Sequence, residues 1–533
     1  MPSEETPSFN LWYEPWITLE DAQGHSQRCG IEQTLLQAHR YTTITELSPL
    51  VIVGIRRLLT AILQAIFQPR RMRDLRDLLQ QAAFPREPIL QFGKRYAARF
   101  DLFSPDLPFL QSADLPLQPR KGDKNKTAAH LAPEIPTGTE SIHFRHGSDA
   151  AYVLCPICVA GCLCALPAFA TTGGQSFRPS INGVPPIYVL PEGQNLFESC
   201  VYSLLLPDYQ PRTRSQTQDL VWWERQPPII IGRDQEVLEV GYLHSLTFPA
   251  RRVRLHPERM GDGTRCSRCG NAATWGVRTM IFEMGECRPK DAPIWLDPFA
   301  AYLIPTGTRR NAQPRPLRPR PNHALWREYA SLFLAHSQTS HQPGAAEQSH
   351  RPRVLDQLAE LTEQSDDAGP LYTFRCVGLR TDMKAKIFEW VEAGFEVPLT
   401  LLGDPSGGDL VSAAVRFAEQ CAKIILDGFD RFMRGNASRR NRNASLRAGM
   451  EERFWTALAT PFRQLVLRLA DAAQRREAQA QWAARCVREA AEAFRFAAAS
   501  IGDDAAALQK CVEGEVYVTR RLNNLRKEQM PDE

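Results

Sequence analysis

Two Cys-x-x-Cys pairs set far apart constrain this chain more than any other feature. The first is Cys155-Pro-Ile-Cys158, in the apolar stretch AYVLCPICVAGCLCALPAFA. The second is Cys266-Ser-Arg-Cys269, in GDGTRCSRCGNAA. A two-residue gap lets both sulfurs of a pair reach one tetrahedral ion at about 2.3 Å. Gly270 removes a Cβ where the backbone must curl around a metal. A zinc ion shared by Cys155, Cys158, Cys266 and Cys269 would tie two distant segments together. With four thiolates it keeps no position for water or substrate, so its role would be structural. Cys162 and Cys164 compete as ligands, because Cys162 falls one turn after Cys158 if this stretch is helical. The plain alternative for all of them is buried apolar filler. The 13 cysteines are odd in number and irregularly spaced. That argues against a disulfide framework and for a reducing, cytoplasmic setting.

A chain of 533 residues is too long for one core, so two to four structural units are expected. Hydrophobic residues at 43% and charged residues at 23% describe an ordinary globular protein. A formal net charge of +4 does not by itself indicate nucleic acid. No run of about 18 residues is wholly apolar, so no membrane-spanning helix is expected. The opening MPSEETPSFNLWYEPW has neither the basic nor the apolar region of a signal peptide.

Along the chain, residues 9–110 read as a short strand followed by helices. The run from Leu50 to Phe67 is apolar nearly all round and predicts a core helix, with Arg56 and Arg57 reaching out to solvent. Residues 113–150 are polar, with Lys121, Lys124 and Lys126 close together, and predict a loop. Residues 151–300 mix short strands with turns. Residues 305–322 are rich in Arg and Pro, which excludes regular structure there, and 336–352 predict a surface loop. Beyond Val397 the pattern changes to helical spacing over 409–434, 448–475, 477–500 and 504–527. The fold class expected is α+β: a mixed domain over 1–397, then a four-helix bundle over 398–533 whose connection at 434–447 is strongly basic.

These landmarks, in this order, resemble the CasA family, the large subunit of the type I-E CRISPR surveillance complex (Cascade). FNLWYEPWITLE resembles the family's opening motif, and Ser48-Pro-Leu-Val with the apolar helix resembles the next. DLFSPDLPFLQS, the paired CxxC, TTGGQSF with NGVPPIYVLPEGQNLFESC, FPARRVRL, and LYTFRCVGLRTDMKAKIFEW follow. The resemblance covers nearly the whole chain. It implies a subunit without catalysis that recognises the protospacer-adjacent motif in double-stranded DNA. It implies strand opening and R-loop formation, and partners comprising the guide-RNA-containing backbone and small subunits and a helicase-nuclease. Protein reads the short motif and base pairing reads the rest. No membrane is implied.

The resemblance also points to residues. Phe144, with Arg145, lies where the family has a loop reaching the guide RNA; a ring stacks on any base. The competing reading is an aromatic packed on its own domain. Gly173 and Gly174 lie at the family's glycine loop, where missing Cβ atoms let the backbone approach a minor groove; an ordinary turn is the alternative. Arg380, Thr381, Asp382, Met383 and Lys384 fall at the family's wedge hairpin. Its glutamine is absent here, and Met383 is the apolar tip. Arg288 and Lys290 are candidates for the basic finger. The Arg-rich stretches 309–320 and 439–447 could follow a DNA backbone or merely stay solvated.

Two other function classes stay open. One is a zinc-dependent nucleic-acid hydrolase, for which His143 and His146 near Cys155 are the only raw material. The sequence has no HExxH, P-loop or GxSxG motif. The other is a zinc-stabilised scaffold that binds protein only.

Overall fold

In a computed structural model, the described residues are 7–119, 125–135, 151–171, 177–212, 219–225, 235–305, 313–335, 347–363, 371–381, 387–432, 440–500 and 505–529. They form two units. The first comprises Met1–Pro319, Ala346–Ala368 and Tyr372–Glu396; the second comprises Arg320–Ala345, Gly369–Leu371 and Val397–Glu533.

The first unit begins with a small antiparallel sheet of β1 (Ile17–Glu20), β2 (Ser26–Cys29) and β3 (Thr43–Ile44), in the order β2-β1-β3. Asp21 sets the β1–β2 turn: its carboxylate accepts from the backbone N–H of Gln23 and His25, both at 2.9 Å. Gly24 takes the left-handed conformation that the turn needs, at φ +82°. Helix α1 (Ile31–Leu36) links β2 to β3.

Helix α2 (Pro49–Phe67) is buried without a break from Pro49 to Gln64. Pro49 starts it well, because the first-turn N–H has no helical partner to lose. It is long and apolar enough to cross a bilayer, the one such helix among the described residues. It is spent on the interior, as the core helix expected from the sequence. The outward reach expected of Arg56 and Arg57 is corrected. Arg56 pairs with Glu192 at 3.2 Å and donates to the carbonyls of Pro191 and Ser199. Arg57 pairs with Asp297 at 2.9 Å and lies over the Tyr188 ring. Buried cations need such partners, since an unpaired charge in an apolar interior is strongly destabilising.

Helices α3 (Met72–Gln80) and α4 (Arg86–Tyr96) follow, then β4 (Lys126–Thr127) and α5 (Pro156–Phe169). Helix α5 packs directly on α2. The approach is so close that a Cβ on Gly54 would sit 2.5 Å from the Cys164 carbonyl oxygen. Next come β5 (Tyr188–Glu192), α6 (Leu196–Tyr202) and α7 (Tyr242–Leu246). The Asn195 side chain caps α6 by accepting from Glu198 N–H at 3.0 Å.

Strands β6 (Arg251–Arg259) and β7 (Trp275–Met284) make the longest described antiparallel ladder, with an irregularity between His256 and Pro257. Strand β4 pairs with β7, so part of the expected 113–150 loop is a sheet edge. Strands β8 (Tyr302–Pro305), β9 (Arg315–Pro316) and, after α8 (Tyr329–Phe333), β10 (Glu347–His350) form another sheet, in the order β10-β8-β9. Two stretches expected to be irregular therefore each contribute a short strand. Arg315–Pro316 needs only carbonyls and one N–H at a sheet edge, which is the place Pro tolerates. After α9 (Arg353–Glu363), strands β11 (Leu371–Thr381) and β12 (Ile387–Pro398) are neighbours in the order β12-β11-β5.

In the second unit a short α10 (Leu399–Leu402) precedes α11 (Pro405–Phe432), α12 (Arg440–Leu469), α13 (Arg475–Ala498) and α14 (Ala505–Gln529). Helix α13 packs on the other three, and α11 also packs on α12 and α14. Helix α12 starts at Arg440, so most of the basic connection expected to end at 447 is helix, and Arg447 pairs with Asp430 at 3.4 Å. Trp326 anchors this unit against Trp455, Phe462 and Trp482, with centroids 5.7, 4.7 and 6.3 Å away. Arg327 lies 3.7 Å over the Trp455 ring.

Candidate metal centre and nucleic-acid interface

The second cysteine pair sits in the connection between β6 and β7, and the first sits at the start of α5. Cys155 is the residue before the first turn of α5, and Cys158 follows in that turn. Leu154 bridges to Val277 of β7, which brings the start of α5 against the ladder. The four sulfurs of Cys155, Cys158, Cys266 and Cys269 all lie within 4.8 Å of one another. Sulfurs at about 2.3 Å from one tetrahedral ion stand about 3.8 Å apart. The Cys155 and Cys269 sulfurs are 3.7 Å apart, so the donor set fits such an ion in type, number and spacing. Cys162 and Cys164 are buried but stand outside the quartet.

The local backbone explains why the knuckle closes. Gly270 takes φ +73°, where a Cβ would be strained, and its N–H donates to the Cys266 carbonyl at 2.9 Å. The Cys155 N–H points at the Cys266 sulfur at 3.3 Å. Hydrogen bonds from the Cys155 and Cys158 thiols hold the Cys266 thiol well below its ordinary pKa.

Arg268, between the cysteines of the second pair, supplies positive charge. Its side chain is only 4% exposed, with its Nε 2.6 Å from Glu134, one Nη 2.6 Å from Glu46, and the same Nη 3.9 Å from the Cys158 sulfur. Four thiolates on a divalent ion carry a net charge of about −2, which the guanidinium partly offsets. Glu46, Glu134 and Arg268 escaped sequence reasoning. The CxxC spacing shows where Arg268 is, but nothing local marks carboxylates so distant in the chain.

The expected nucleic-acid residues fall in several places. Phe144, Arg145, Gly173, Gly174, Asp382, Met383 and Lys384 lie outside the described residues. Their flanks are described. Glu134 and Val153 both engage the second knuckle, and Thr171 and Phe177 flank the glycine pair. Arg380 and Thr381 end β11, so residues 382–386 connect two neighbouring strands of one hairpin. Arg380 pairs across that hairpin with Glu389 at 2.8 Å. Arg288 is half-buried and donates to the carbonyls of Leu238 and Pro293, both at 2.6 Å. Burial pushes its pKa down. Lys290 is exposed. Of that pair, Lys290 has the side chain placed in solvent and Arg288 has a structural engagement.

The sequence matches the family described as CRISPR-associated protein Cse1 over residues 10–493. The chain is similar to the CRISPR-associated protein CasA/Cse1 of Thermus thermophilus, at 28% identity over 98% of this chain and 98% of that protein. Its fold is similar to the crystal structure of Cse1 from Acidimicrobium ferrooxidans, with a TM-score of 0.78 and 22% identity, covering 98% of this chain and 99% of that one. It is also similar to a chain in the solved structure of a CRISPR RNA-guided surveillance complex, with a TM-score of 0.70 and 17% identity, covering 96% of this chain and 99% of that one.

Proposed function

The chain belongs to the CRISPR-associated Cse1 family, and on that premise we propose that it is the non-catalytic large subunit of a type I-E CRISPR RNA-guided complex. It recognises the protospacer-adjacent motif in duplex DNA, starts strand opening for R-loop formation, and docks the helicase-nuclease. Its partners are the guide-RNA-bearing backbone and small subunits, in the cytoplasm. Residues 1–397 act as the motif-reading domain and 398–533 as a four-helix bundle. One observation carries this reading: the family match, over residues 10–493, spans the cysteine quartet and the β11–β12 hairpin.

The metal is zinc, held by Cys155, Cys158, Cys266 and Cys269. Four thiolates complete its coordination, so it supplies rigidity rather than a water nucleophile. That donor set is the reason to prefer a structural centre to a hydrolase. Phe144 and Arg145 contact the guide or the DNA beside it. Gly173 and Gly174 approach the minor groove. Met383, beside Arg380, Thr381, Asp382 and Lys384, enters a base step while Lys384 holds phosphate. Arg288 and Lys290 flank the path, with Lys290 the free-standing cation of the two. Unstacking a step costs on the order of a few kcal/mol, which guide pairing must offset.

The test is an electrophoretic shift with reconstituted guide complex, with and without this subunit. The targets are guide-matched duplexes with randomised flanking bases, and the same target pre-melted. The subunit should confer a flank preference on duplex, and Met383→Asp should lose duplex binding while keeping pre-melted target. Equal behaviour with and without the subunit would leave a protein-binding scaffold as the surviving reading.

A further inference from the structure

We propose that Arg288 is the positioning residue for Lys290: its guanidinium closes the loop 288–293 and fixes the turn that presents the Lys290 ammonium to the backbone of target duplex. The proposal rests on the reading that Lys290 lies along the path of that duplex.

The loop stands on an anchored base. Strand β7 ends at Met284, and the chain then runs beside residues 235–237. The Cys287 N–H donates to the Gln235 carbonyl at 2.9 Å, and the Val237 N–H donates to the Cys287 carbonyl at 2.8 Å. Arg178 pairs with Glu236 at 2.7 Å on the same base. Past the loop, the Ile294 N–H donates to the Gln313 side-chain oxygen at 3.2 Å, and the Trp295 indole N–H donates to the Val240 carbonyl at 3.0 Å. Both ends are therefore held. Between them the Ala292 N–H donates to the Pro289 carbonyl at 3.1 Å, which makes Lys290 and Asp291 the two central residues of a turn.

Arg288 spans the mouth of this loop. One Nη donates to the Leu238 carbonyl and the other to the Pro293 carbonyl, both at 2.6 Å. It is half-buried and has no carboxylate partner among the described residues. With both terminal nitrogens engaged on carbonyls, it serves the loop rather than a phosphate. The tip needs such a strut. Lys290 and Asp291 are both exposed, and at a distance their opposite charges cancel. Close to a phosphate they do not, so the orientation of the turn decides which sign the phosphate meets. A loose loop would offer either; a loop stapled across its mouth offers one. Lysine would not substitute at 288, because a compact ammonium lacks the rigid fork that reaches two carbonyls at once.

The test uses full-length Arg288→Lys, Arg288→Gln, Lys290→Ala, and Arg288→Lys combined with Lys290→Ala, each assembled into the guide complex. The probe is a guide-matched, motif-bearing duplex titrated over a salt series. Thermal midpoint and zinc content of each variant establish that it is folded. Each neutralised phosphate contributes about 0.9 to the slope of log affinity against log salt. Lys290→Ala should lose about that much slope and weaken duplex binding. Arg288→Lys should do the same although the formal charge is kept, and the combined variant should bind no more weakly than Lys290→Ala. If Arg288→Gln fails to fold, Arg288→Lys decides, since it keeps the charge and removes only the fork. Wild-type slope and affinity in Arg288→Lys, or losses that add in the combined variant, overturn the proposal, since a direct DNA contact or a general loss of structure would add. If Lys290→Ala is weakened while Arg288→Lys is not, this inference alone fails. If Lys290→Ala is itself silent, the reading of Lys290 fails and the inference with it.

Discussion

Ser267 and Val153 exchange backbone-directed hydrogen bonds: the Ser267 N–H donates to the Val153 carbonyl at 2.8 Å, and the Val153 N–H donates to the Ser267 hydroxyl at 3.0 Å. With Arg268 on Glu134, the second knuckle therefore grips the chain on both sides of residues 136–150, the stretch that holds Phe144. The cysteine quartet and the two described flanks of that stretch share one foundation.

Replacing Cys266 with Ser should lower zinc content and stability together, because a hydroxyl is a poor fourth ligand and the Cys155 N–H loses its sulfur acceptor. Metal analysis and thermal unfolding with and without a chelator measure both. A fully zinc-free wild-type protein that is unaffected by chelation would sink the claim.

Arg268→Gln should cost about 3 kcal/mol, since it leaves Glu46 and Glu134 partly buried with no cation between them. It should also weaken zinc retention in a chelator competition, by removing positive charge beside the thiolates. A variant with normal retention and normal stability would show that the guanidinium is incidental.

Gly54→Ala should destabilise by about 1–3 kcal/mol. The added methyl would meet backbone atoms of Cys164 and Ala165 at 2.5 to 2.7 Å, and backbone of a packed helix cannot swing aside. Denaturant unfolding reads this out. Unchanged stability would mean that α2 and α5 stand further apart than described.

The Glu286 carboxylate gives a pH test. Burial raises its pKa, but the His244 hydrogen bond at 2.8 Å and Arg225 at 2.9 Å outweigh that and hold it below the ordinary value. A depressed carboxylate contributes stability above its unfolded pKa, about 4.3, and loses it as pH falls through the folded value. Glu286→Gln should therefore trail wild type at pH 7, with the gap closing as pH falls through the depressed folded value. Unfolding curves at several pH values settle it; a gap that widens in acid contradicts the assignment.

Much of this arrangement is legible in the sequence, and the exceptions share a cause. The cysteine quartet is legible because metal geometry imposes a fixed local spacing. The long helices are legible because burial of one face imposes a period. Arg56 and Arg57 are not: their partners Glu192 and Asp297 lie 136 and 240 residues away. Lys126–Thr127 and Arg315–Pro316 are strands only because β7 and β8 offer them an edge. Arg268 is not legible either: its carboxylate partners Glu134 and Glu46 lie 134 and 222 residues away.

The wide separation of the two knuckles sets a timetable for biosynthesis. Cys155 and Cys266 are 111 positions apart. At translation rates of about 5–20 residues per second, the first pair waits roughly 6–22 s for the second. During that interval Cys155 and Cys158 are a nascent dithiol, exposed to oxidants and stray metals. Cys269 appears just past the midpoint of the 533-residue chain. Closure of the cysteine quartet can thus occur in mid-translation, sensitive to thiol redox balance while the ribosome is still at work, whereas the first unit as a whole waits for β11 to reach β5.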